Sequence, residues 1–532
     1  MITKVKIQNY RRFKEFELEL NDGLNILVGN NDTGKSTVIE AINLALTGRL
    51  NGRGLHEGLS PYLFNQDATK EFVEALQAGD PATPPKMIIE VYLGDGAEEA
   101  EVLRGSNNLD GEDACGVRLQ ATFNPDYQEE YDSFVEEPDK VRLVPTEYYR
   151  IDWLGFSGSA VTRRSLPAAV AVIDPASIRL QSGVDYHLQH IIRTQLEPKE
   201  RVELSREYRS LREEFDDKES VKTINERLRE DNGELTDREL SLSIDISQRY
   251  TWESSLVAHL DSLPFQYIGK GDQNAVKTLL AIGRHAEDKQ IVMIEEPETH
   301  LSFAKLRALL PRIAAQCEGK QVIIATHSAY VLNKLGLDGA ILLGPTGAAT
   351  RVTDLSVETV SFFKRLPGHD TLRLVLADGA ILVEGSSDEL VVQRAYRDKN
   401  GREPLDDGVD VISVGTSHKR FMELAAGLRR RTWAVRDNDG KNAEEMQAKF
   451  DGYLVEGLIT LHHGANPEDE RTLEPAIVNS NDLQVLNTAL GEEYATKEDA
   501  VKGMTGSKTE SALRIYESAT TIEMPGYIRD VC

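Results

Sequence analysis

Short runs of apolar, β-rich residues recur along the chain, and helical patterns lie between several of them. The runs are residues 24–28, 291–294, 322–325, 380–383, 409–414 and 432–435. Continuous apolar runs of this length are typical of strands buried on both faces, and their alternation with helices predicts α/β domains with mainly parallel sheets. Residues 2–7 and 16–20 predict two further strands around the polar turn at 9–12. Short strands at 87–92 and 117–123 can be recognised, but the pattern does not order them.

Residues 186–230 are dense in charge and helical in pattern. Within them Leu204, Tyr208, Leu211 and Phe215 follow one another at helical spacing, which predicts an apolar seam of about two heptads. The segment is too short for a long coiled-coil arm, so we expect a helical hairpin that packs on a partner or on its own domain. A solvated helical excursion is an equally open interpretation.

The composition is that of an ordinary soluble globular protein. Of 532 residues, 40% are hydrophobic and 28% are charged, and 88 acidic against 61 basic residues give a formal net charge of −27. This balance argues against a protein that coats nucleic acid or an anionic membrane by bulk attraction. Nucleic acid remains open as a substrate, because clustered carboxylates can hold divalent metals that then meet the phosphates.

The three cysteines, Cys115, Cys317 and Cys532, are far apart in sequence. Their spacing argues against a disulfide framework or a cysteine zinc site and favours a reducing cytosol. Neither a signal peptide nor a membrane span can be recognised, in keeping with a mean hydropathy of −0.38. We therefore expect a soluble, cytoplasmic protein without a membrane partner.

A glycine-containing segment follows the apolar run at 24–28 and precedes a helical stretch. Residues 29–36 fit the P-loop pattern. Its glycines let backbone N–H groups curl around phosphates at the start of a helix, where Lys35 reaches the outer phosphates and Ser36 holds Mg²⁺. The candidate nucleotide-binding residues are Asn30, Asn31, Asp32, Thr33, Gly34, Lys35, Ser36 and Thr37.

Two later strands end in residues that suit the same chemistry. The run at 291–294 delivers Glu295 and Glu296, of which Glu295 would orient the magnesium shell and Glu296 would position the attacking water. The run at 322–325 ends near His327, which is placed to contact the γ-phosphate or its water.

A loop at 269–274 opens a further helical stretch, and Gly271, Asp272 and Gln273 offer backbone donors to an anion there. In this order and spacing, the four elements resemble an ABC-type ATPase head of the kind found in structural-maintenance and recombination proteins. The resemblance implies that two heads sandwich ATP, each loop completing the partner's site, and hence a homodimer or higher homo-oligomer. The long separation between the P-loop and Glu295 requires an insertion, and residues 185–235 are the candidate.

Two apolar runs in the last third of the chain end in acidic residues. Glu384 follows the run at 380–383, and Asp437 and Asp439 follow the run at 432–435. Residues i and i+2 at a strand end point the same way, so Asp437 and Asp439 can share one cation cluster that Glu384 completes. Hard oxygen ligands suit Mg²⁺ or Mn²⁺, and two such ions would clamp a phosphodiester. Turn chemistry alone also accounts for an Asp-Asn-Asp-Gly segment.

Glu384-Gly385 together with Asp437-x-Asp439 resembles the TOPRIM domain shared by topoisomerases, primases and some nucleases. With the preceding head, nearly the whole chain resembles an OLD-family (overcoming lysogenization defect) nuclease, in which an ABC-type ATPase is joined to a carboxyl-terminal, Rossmann-like TOPRIM domain. The implied organisation is an ATPase head in two parts at 1–184 and 236–350, a helical insertion for dimerisation at 185–235, a linker at 351–375 and a TOPRIM nuclease domain at 376–532.

The resemblance also implies a ligand set and a catalytic cation. The implied metal ligands are Glu384, Asp388, Asp437, Asp439 and, less closely matched, Glu474. Family members use a lysine downstream of the cluster to stabilise the transition state. Lys508, which opens a helical stretch, is the candidate, and Lys497 and Lys502 are rivals.

Basic clusters at 163–164, 418–420 and 429–431 are candidates for gripping DNA phosphates, although solvated helix faces explain them equally well. The function we expect is an ATP-regulated, metal-dependent DNA endonuclease in phage defence or DNA processing, with DNA and an additional defence-system protein as partners. The alternative is a non-nucleolytic ATPase that binds or remodels DNA. A topoisomerase is disfavoured, because no separate domain that would deliver a tyrosine nucleophile can be recognised.

Overall fold

The computed structural model of the protein describes residues 1–50, 53–80, 82–94, 98–162, 166, 170–173, 180–181, 184–185, 196–231, 242, 259–276, 278–279, 291–316, 318–344, 347–365 and 369–532. The chain forms two compact units. The first consists of Met1–Val170, Met293–Glu295 and Gly319–Cys532, and the second of Ala171–Val292 and Glu296–Glu318. The first unit therefore holds both the P-loop segment and the carboxyl-terminal acidic residues.

An antiparallel sheet opens the first unit. Its strands lie in the order Phe13–Glu19, Ile2–Tyr10, Met87–Leu93, Ala114–Phe123 and Arg104–Gly105, and Tyr149–Gly155 also pairs with Ala114–Phe123. The first two strands form the hairpin that the sequence predicts. The others pair over long sequence distances, which is why the apolar pattern alone does not order them.

A second sheet carries the P-loop strand at its centre. Leu24–Val28 lies between Gln321–Thr326 and Ala340–Leu343 and is parallel to both, and Ala349–Arg351 pairs antiparallel with the latter. Ile291–Glu295, whose last three residues belong to this unit, lies on the other side of Gln321–Thr326. Gln321 ties the two sheets together, because its side-chain amide exchanges two hydrogen bonds with the backbone of Ile2, at 2.7 and 2.6 Å.

The third sheet is fully parallel, with the strand order Val409–Ser413, Gly379–Val383, Arg431–Arg436 and Ile459–His463. Because the two middle strands are neighbours and run the same way, the residues that follow them leave the sheet at the same edge. The sheet therefore brings the segment after Val383 next to the segment after Arg436.

One hydrophobic core joins the second and third sheets. It contains Ile26 and Val28 of the P-loop strand together with Leu382 and Ile412 of the third sheet, all of which are fully buried. Packing at this density transmits strain, because buried side chains have no free volume in which to relax.

Two helices, Val357–Arg365 and His369–Leu376, occupy most of the stretch in which the sequence predicts a linker. Phe363 and Leu374 from these helices are buried in the shared core. Glu423 accepts hydrogen bonds from the Ser356 N–H and from the hydroxyls of Ser356 and Thr359. The crossing between the two sheets is therefore a packed element and not an extended tether.

The second unit contains the helices Pro198–Asp216, Glu219–Asp231 and Phe303–Gln316. The first two lie in the segment for which the sequence predicts a helical hairpin. Leu211 is 64% exposed and Phe215 is 38% exposed, so the predicted apolar seam faces solvent in the single chain.

The remaining elements complete the two units. The helices are Lys35–Thr47, Leu55–Gly58, Gln66–Ala78, Gln128–Val135, Ala329–Leu335, Ser386–Asn400, His418–Gly427, Ala443–Phe450, Leu473–Ser480, Leu483–Leu490, Lys497–Gly506, Lys508–Glu517 and Gly526–Arg529. The short strands are Arg49–Leu50, Arg53–Gly54, Val170–Ile173, Leu180–Gln181, Val184–Asp185, His259–Leu260 and Leu263–Pro264. Among the described helices, none combines the length and apolar character needed to cross a membrane. Cys115 and Cys532 are free thiols, and Cys317 lies outside the described residues.

The shared core makes a quantitative prediction at Phe421, whose ring centroid lies 5.2 Å from that of Phe363. Phe421→Ala removes a fully buried ring and leaves a cavity, so it should lower the free energy of unfolding in urea by about 3–5 kcal/mol. Leu405→Ala, at a side chain that is 69% exposed, should change it by less than about 0.5 kcal/mol. Equal losses in the two variants would contradict the packing described here.

Candidate functional site

Residues 29–34 form a loop that leads into a helix beginning at Lys35. The Thr33 hydroxyl donates to the Asn30 carbonyl at 2.9 Å, and Lys35 Nζ donates to the carbonyls of Gly29 and Asn30, both at 2.9 Å. The loop therefore curls around the ammonium group of Lys35, a residue that is only 6% exposed. A cation and free N–H groups at the start of a helix form a favourable place for a phosphate.

Glycine is required at position 34 for two separate reasons. Gly34 has a φ of 98° and caps the helix, a conformation that strains residues with a side chain. A Cβ at this position would also collide with the ring of Phe13. Asn31, Asp32 and Ser36 are exposed beside it and Thr37 is half-buried, so the predicted loop residues surround one surface site.

Glu295 and His327 lie on neighbouring strands of the same sheet as the P-loop strand. His327 is exposed and follows the end of Gln321–Thr326, and Glu295 is the last residue of its strand. The segment after His327 is well fixed, because the Thr326 hydroxyl accepts from the Ser328 N–H at 3.0 Å. The roles of Glu295 and His327 toward a nucleotide remain predictions.

In the second unit, the loop at 269–274 packs against the turn that follows Glu296. The Asn274 side chain donates to the Thr299 carbonyl at 2.9 Å, and a Cβ on Gly271 would lie 2.6 Å from the His300 carbonyl oxygen. Glycine at 271 is therefore needed for this close approach. Glu296 has a φ of 40° and accepts from the Thr299 hydroxyl at 3.2 Å.

The other two predicted residues of this loop are held by the same unit. Asp272 pairs with Lys305 at 2.6 Å, and Gln273 donates to the carbonyls of Phe265 and Ile268, both at 2.8 Å. Their side chains are thus occupied within the loop region. Binding of an anion by the backbone of Gly271, Asp272 and Gln273 remains a prediction.

The third sheet brings together the acidic residues that the sequence predicts as metal ligands. Glu384 and Asp437 follow neighbouring parallel strands. Asp388 lies in the first turn of the helix Ser386–Asn400, where it accepts from the Gly385 N–H at 3.0 Å. Glu474 lies in the first turn of the helix Leu473–Ser480 and is 3% exposed.

The charges of these carboxylates act on one another. Burial, together with Asp388, Glu384 and Glu474, raises the pKa of Asp437 to about 8. Burial also raises the pKa of Asp388 to about 6, against the opposing hydrogen bond from Gly385. The pKa of Glu384 is raised by burial as well, although Arg436 opposes the shift. The cluster therefore carries more negative charge than its surroundings neutralise.

Lys508 begins the helix Lys508–Glu517 and lies beside this cluster. Its Nζ is 3.1 Å from Glu474 Oε1, while the Thr472 hydroxyl donates to Glu474 Oε2 at 2.9 Å. Burial lowers the pKa of Lys508, but the hydrogen bond to Glu474 and the charges of Asp437 and Asp388 raise it overall. Lys508 is therefore held as a cation next to three carboxylates.

The two rival lysines lie elsewhere in the domain. Lys497 lines a cavity of about 730 Å³ together with Lys399 and Arg529. Lys502 is exposed on the helix Lys497–Gly506. Of the three candidate lysines, Lys508 is the one that contacts a predicted metal ligand, Glu474, in the described part of the chain.

The carboxylates do not form a ready-made ligand set. Among the residues that the structure describes, no three His, Cys, Asp or Glu side chains are arranged to hold a metal ion. Three of the carboxylates, those of Glu384, Asp388 and Glu474, contact other groups of the protein. Arg436 Nε lies 2.8 Å from Glu384 Oε1, Gly385 donates to Asp388, and Lys508 pairs with Glu474. Even so, Glu384 Oε1 is buried without a hydrogen bond, because the contact with Arg436 has the distance of an ion pair but not the angle of a hydrogen bond.

The basic cluster at 429–431 is not beside the acidic residues, and its interpretation as a grip on DNA next to the metals is wrong. Arg431 starts the strand whose other end leads to Asp437, so the strand's length of about 20 Å separates them. Arg430 is 1% exposed, and it donates to the Val375 carbonyl at 2.7 Å. A buried arginine cannot reach a DNA backbone.

The other two basic clusters have different outcomes. His418 is fully buried, and its Nε2 lies 3.2 Å from the Val435 carbonyl, whereas Lys419 is half-buried at the surface. Residues 163–164 lie outside the described part of the chain.

Sequence reasoning missed Arg436, Lys441 and Lys449, whereas Lys419 belongs to the predicted basic cluster at 418–420. Arg436 Cζ, Lys449 Nζ and Lys419 Nζ lie 5.6, 5.5 and 5.6 Å from the centre of the Phe450 ring. Burial and the charges of Arg436 and Lys441 lower the pKa of Lys449. Arg436 directly precedes Asp437, so an opposite charge at the strand end was a signal available in the sequence.

Family models match both halves of the chain. Residues 4–134 match an AAA domain, and residues 259–333 match a second model described as an AAA domain, putative AbiEii toxin, Type IV TA system. Residues 375–439 match the model of the overcoming lysogenization defect protein-like TOPRIM domain. The chain matches an OLD-family fusion of an ATPase and a TOPRIM domain. The TOPRIM match spans Glu384, Asp388, Asp437 and Asp439.

Curated relatives match over short segments of this ATPase–TOPRIM fusion. The DNA double-strand break repair Rad50 ATPase of Methanopyrus kandleri is 54% identical over 46 residues, 9% of this chain and 5% of the relative. The DNA replication and repair protein RecF of Roseiflexus castenholzii is 29% identical over 104 residues, 19% of this chain and 23% of the relative. The chain thus spans less than a quarter of the length of these relatives. Over these short segments the ATPase part is similar to Rad50 and RecF.

Solved structures of SMC heads also align with the fusion at low scores. The SMC head domain from Thermotoga maritima has a TM-score of 0.30 and 11% identity, covering 63% of this chain and 91% of that chain. The Smc head domain with an extended coiled coil bound to the C-terminal domain of ScpA, from Pyrococcus furiosus, has a TM-score of 0.35 and 13% identity, covering 66% and 97%. The fold is described by the sheets of the chain itself, in agreement with the family models that match it.

The charge cluster predicts how the stability of the metal-free protein depends on pH. Folding raises the pKa of Asp437 from 3.8 to about 8, so its contribution to stability is complete below pH 4 and is lost as the pH rises toward 8. In EDTA, Asp437→Asn should therefore have a flatter melting profile between about pH 5 and pH 8 than the native protein, and be more stable at pH 8 by about 1–3 kcal/mol. The control Asp451→Asn, at an exposed carboxylate, should keep the native profile. Parallel profiles for the native protein and Asp437→Asn would contradict the assignment.

Proposed function

We propose that the protein is an ATP-binding, divalent-metal-dependent DNA endonuclease whose TOPRIM domain nicks or cuts DNA under control of the ATPase head. The observation that supports this most directly is that Asp388, Asp437 and Glu474 lie around Lys508, while Glu384 follows the strand next to that of Asp437. Carboxylates at such close quarters repel one another, and a divalent cation relieves the repulsion.

The donor set fits Mg²⁺ or Mn²⁺, because all of its members are carboxylates and one carboxylate oxygen, Glu384 Oε1, is buried without a hydrogen bond. The residues that would hold the metal are Glu384, Asp388, Asp437, Asp439 and Glu474. When bound, a metal of this kind supplies the Lewis acidity that prepares a phosphodiester for attack by water.

Lys508 contributes the positive charge that the phosphate needs as it reacts. Its side chain is 50% exposed while its Nζ contacts Glu474, so the ammonium is both anchored and accessible. In this position it hydrogen-bonds to a phosphate oxygen and stabilises the negative charge that develops there. Glu384 is positioned by Arg436, which lies behind it at the strand end.

The ATPase head binds ATP through residues 30–37 and the cation of Lys35, with Ser36 and Glu295 toward Mg²⁺. Glu296 positions the attacking water and His327 contacts the γ-phosphate. The loop with Gly271, Asp272 and Gln273 completes the site of a second copy, so the working form is a homodimer or higher homo-oligomer. Phage defence or DNA processing is the proposed setting, with a defence-system protein as a further partner.

A second candidate function is a non-nucleolytic ATPase that uses the TOPRIM domain only to bind DNA. It is favoured by the pairing of Glu384 with Arg436 and of Glu474 with Lys508, which occupies two predicted ligands without a metal. The two functions differ in one measurement, the cutting of DNA.

The nuclease proposal is tested by plasmid nicking in Mg²⁺ or Mn²⁺, with and without ATP. The native protein should nick or cut, Asp437→Asn combined with Asp439→Asn should abolish cutting, and Lys508→Ala should slow it by about 10²–10³-fold. Asp451→Asn, an exposed carboxylate in the same domain, should cut at the native rate. If the native protein leaves the plasmid intact under every metal and nucleotide condition, the proposal is wrong and the non-nucleolytic function replaces it.

The nucleotide site is tested separately by Lys35→Ala. Removing a buried cation from the phosphate site should weaken ATP binding by about 30-fold or more in calorimetric titration. The control Lys140→Ala, at a side chain that is 75% exposed, should bind ATP like the native protein. Native-like ATP affinity in Lys35→Ala would show that residues 29–36 are not the nucleotide site.

A further inference from the structure

Lys419 and Lys449 lie at the Phe450 ring together with Arg436, which pairs with Glu384 of the acidic cluster, and Lys441 lies in the segment between Asp439 and the helix of Lys449. Lys419 lies in the first turn of the helix His418–Gly427, Lys441 follows the Asp439 turn, and Lys449 lies near the end of the helix Ala443–Phe450. Lys419 also lies 5.2 Å from the centre of the Tyr453 ring. We refer to Lys419, Lys441 and Lys449 as the lysine patch.

The charges of the lysine patch are not neutralised by the described part of the protein. Within the described residues, no carboxylate lies within ion-pair distance of these three ammonium groups, whereas the neighbouring Arg436 is paired with Glu384. The aromatic rings of Phe450 and Tyr453 attract the cations without cancelling their charge. In a chain with a net charge of −27, three adjacent unpaired cations form a local exception that an external anion would stabilise.

The patch and Lys508 lie toward different members of the acidic cluster. Lys508 interacts with Glu474, Asp437 and Asp388. Lys449 of the patch interacts with Asp439, and both Lys449 and Asp439 act on Glu384. Positive charge therefore lies both beside Glu474, at Lys508, and near Glu384, at Arg436 and the lysines around Phe450, and a phosphate chain that crosses the carboxylates can contact both groups of cations.

We propose that Lys419, Lys441 and Lys449 bind the backbone phosphates of duplex DNA that flank the bond facing the acidic cluster. The inference builds on the proposed nuclease function, and it adds where the rest of the substrate lies. Lysine suits this role, because a point charge on a flexible stem binds phosphate without reading sequence. The three lysines act as substrate-binding residues and take no part in the chemical step.

The test measures DNA binding, not cutting. Affinity for a labelled duplex is determined in Ca²⁺ and in EDTA at several salt concentrations, for the native protein and for the triple variant Lys419→Ala, Lys441→Ala and Lys449→Ala. Each phosphate contact contributes about 0.9 to the slope of log affinity against log salt, so the triple variant should lose about 2.7 from that slope. Between 50 and 200 mM salt, the factor by which the dissociation constant rises should be about 40 times smaller for the triple variant than for the native protein.

Two controls separate the patch from net charge and from misfolding. The matched variant Lys70→Ala, Lys140→Ala and Lys399→Ala carries the same change in charge at exposed lysines elsewhere, and it should keep the native slope. The triple variant Lys419→Arg, Lys441→Arg and Lys449→Arg keeps the positive charges and should keep the native slope, which loss of the lysine side chains for a merely structural reason would not allow. An unchanged slope in the alanine variant, an equal loss in the matched variant, or native protein that does not bind duplex DNA would each overturn the inference.

The outcome is independent of the nuclease proposal. If the native protein binds and cuts DNA but the triple alanine variant keeps its slope, the inference fails and the nuclease stands. If the slope falls as expected but the native protein never cuts DNA, the inference about the lysine patch stands and the nuclease proposal fails.

Discussion

Repulsion between half-buried carboxylates at the edge of the TOPRIM sheet is the constraint on which the rest of this domain depends. Parallel pairing of Gly379–Val383 with Arg431–Arg436 forces Glu384 and Asp437 to leave the sheet side by side. Helix starts then add Asp388 and Glu474. Without compensation such a group would destabilise the fold, and the protein compensates with cations held at its margins, Arg436 beside Glu384 and Lys508 beside Glu474. Burial, together with the charges of Asp388, Glu384 and Glu474, still raises the pKa of Asp437, although Lys508 opposes the shift.

The shared hydrophobic core gives the ATPase sheet a direct physical connection to this charged edge. Ile26 and Val28 precede the P-loop on the same strand, and they belong to one core with Leu382, which lies two residues before Glu384. The helix His418–Gly427 is held to the crossing segment by Glu423 and to the strand before Asp437 by His418. A displacement of the P-loop strand would therefore have to repack residues adjacent to both sheets, since a dense core offers no free volume.

The sequence predicts three strands in the second sheet and three in the third, because each is a continuous apolar run, but it does not predict Ala340–Leu343 or Ile459–His463. Glu384 and Asp437 could be paired in advance, since adjacent parallel strands present their ends at one edge. The antiparallel sheet could not be ordered, because its strands pair across long sequence distances without a distinguishing pattern. Arg430 was misread for a related reason: a triple arginine looks like a solvated charge run, and only tertiary packing shows that its middle member is buried against Val375. The lysine patch could be predicted only in part: Lys419 lies in the basic cluster at 418–420, but Lys449 is a single lysine that tertiary packing brings to the same Phe450 ring.

The acidic balance of the chain and its expected substrate are compatible once distance is considered. Interactions between exposed charges are screened over about 8 Å at physiological ionic strength, so most of the excess acidic residues are too far from the TOPRIM edge to influence a phosphate there. What a DNA backbone meets at that edge is set by a few groups: the carboxylates, Lys508, and the three lysines around Phe450 and Tyr453. At low ionic strength the screening length grows and the net charge of −27 opposes association, while each local phosphate contact gains strength. The two effects have opposite signs, so net charge alone is a poor guide to whether a protein of this kind binds nucleic acid.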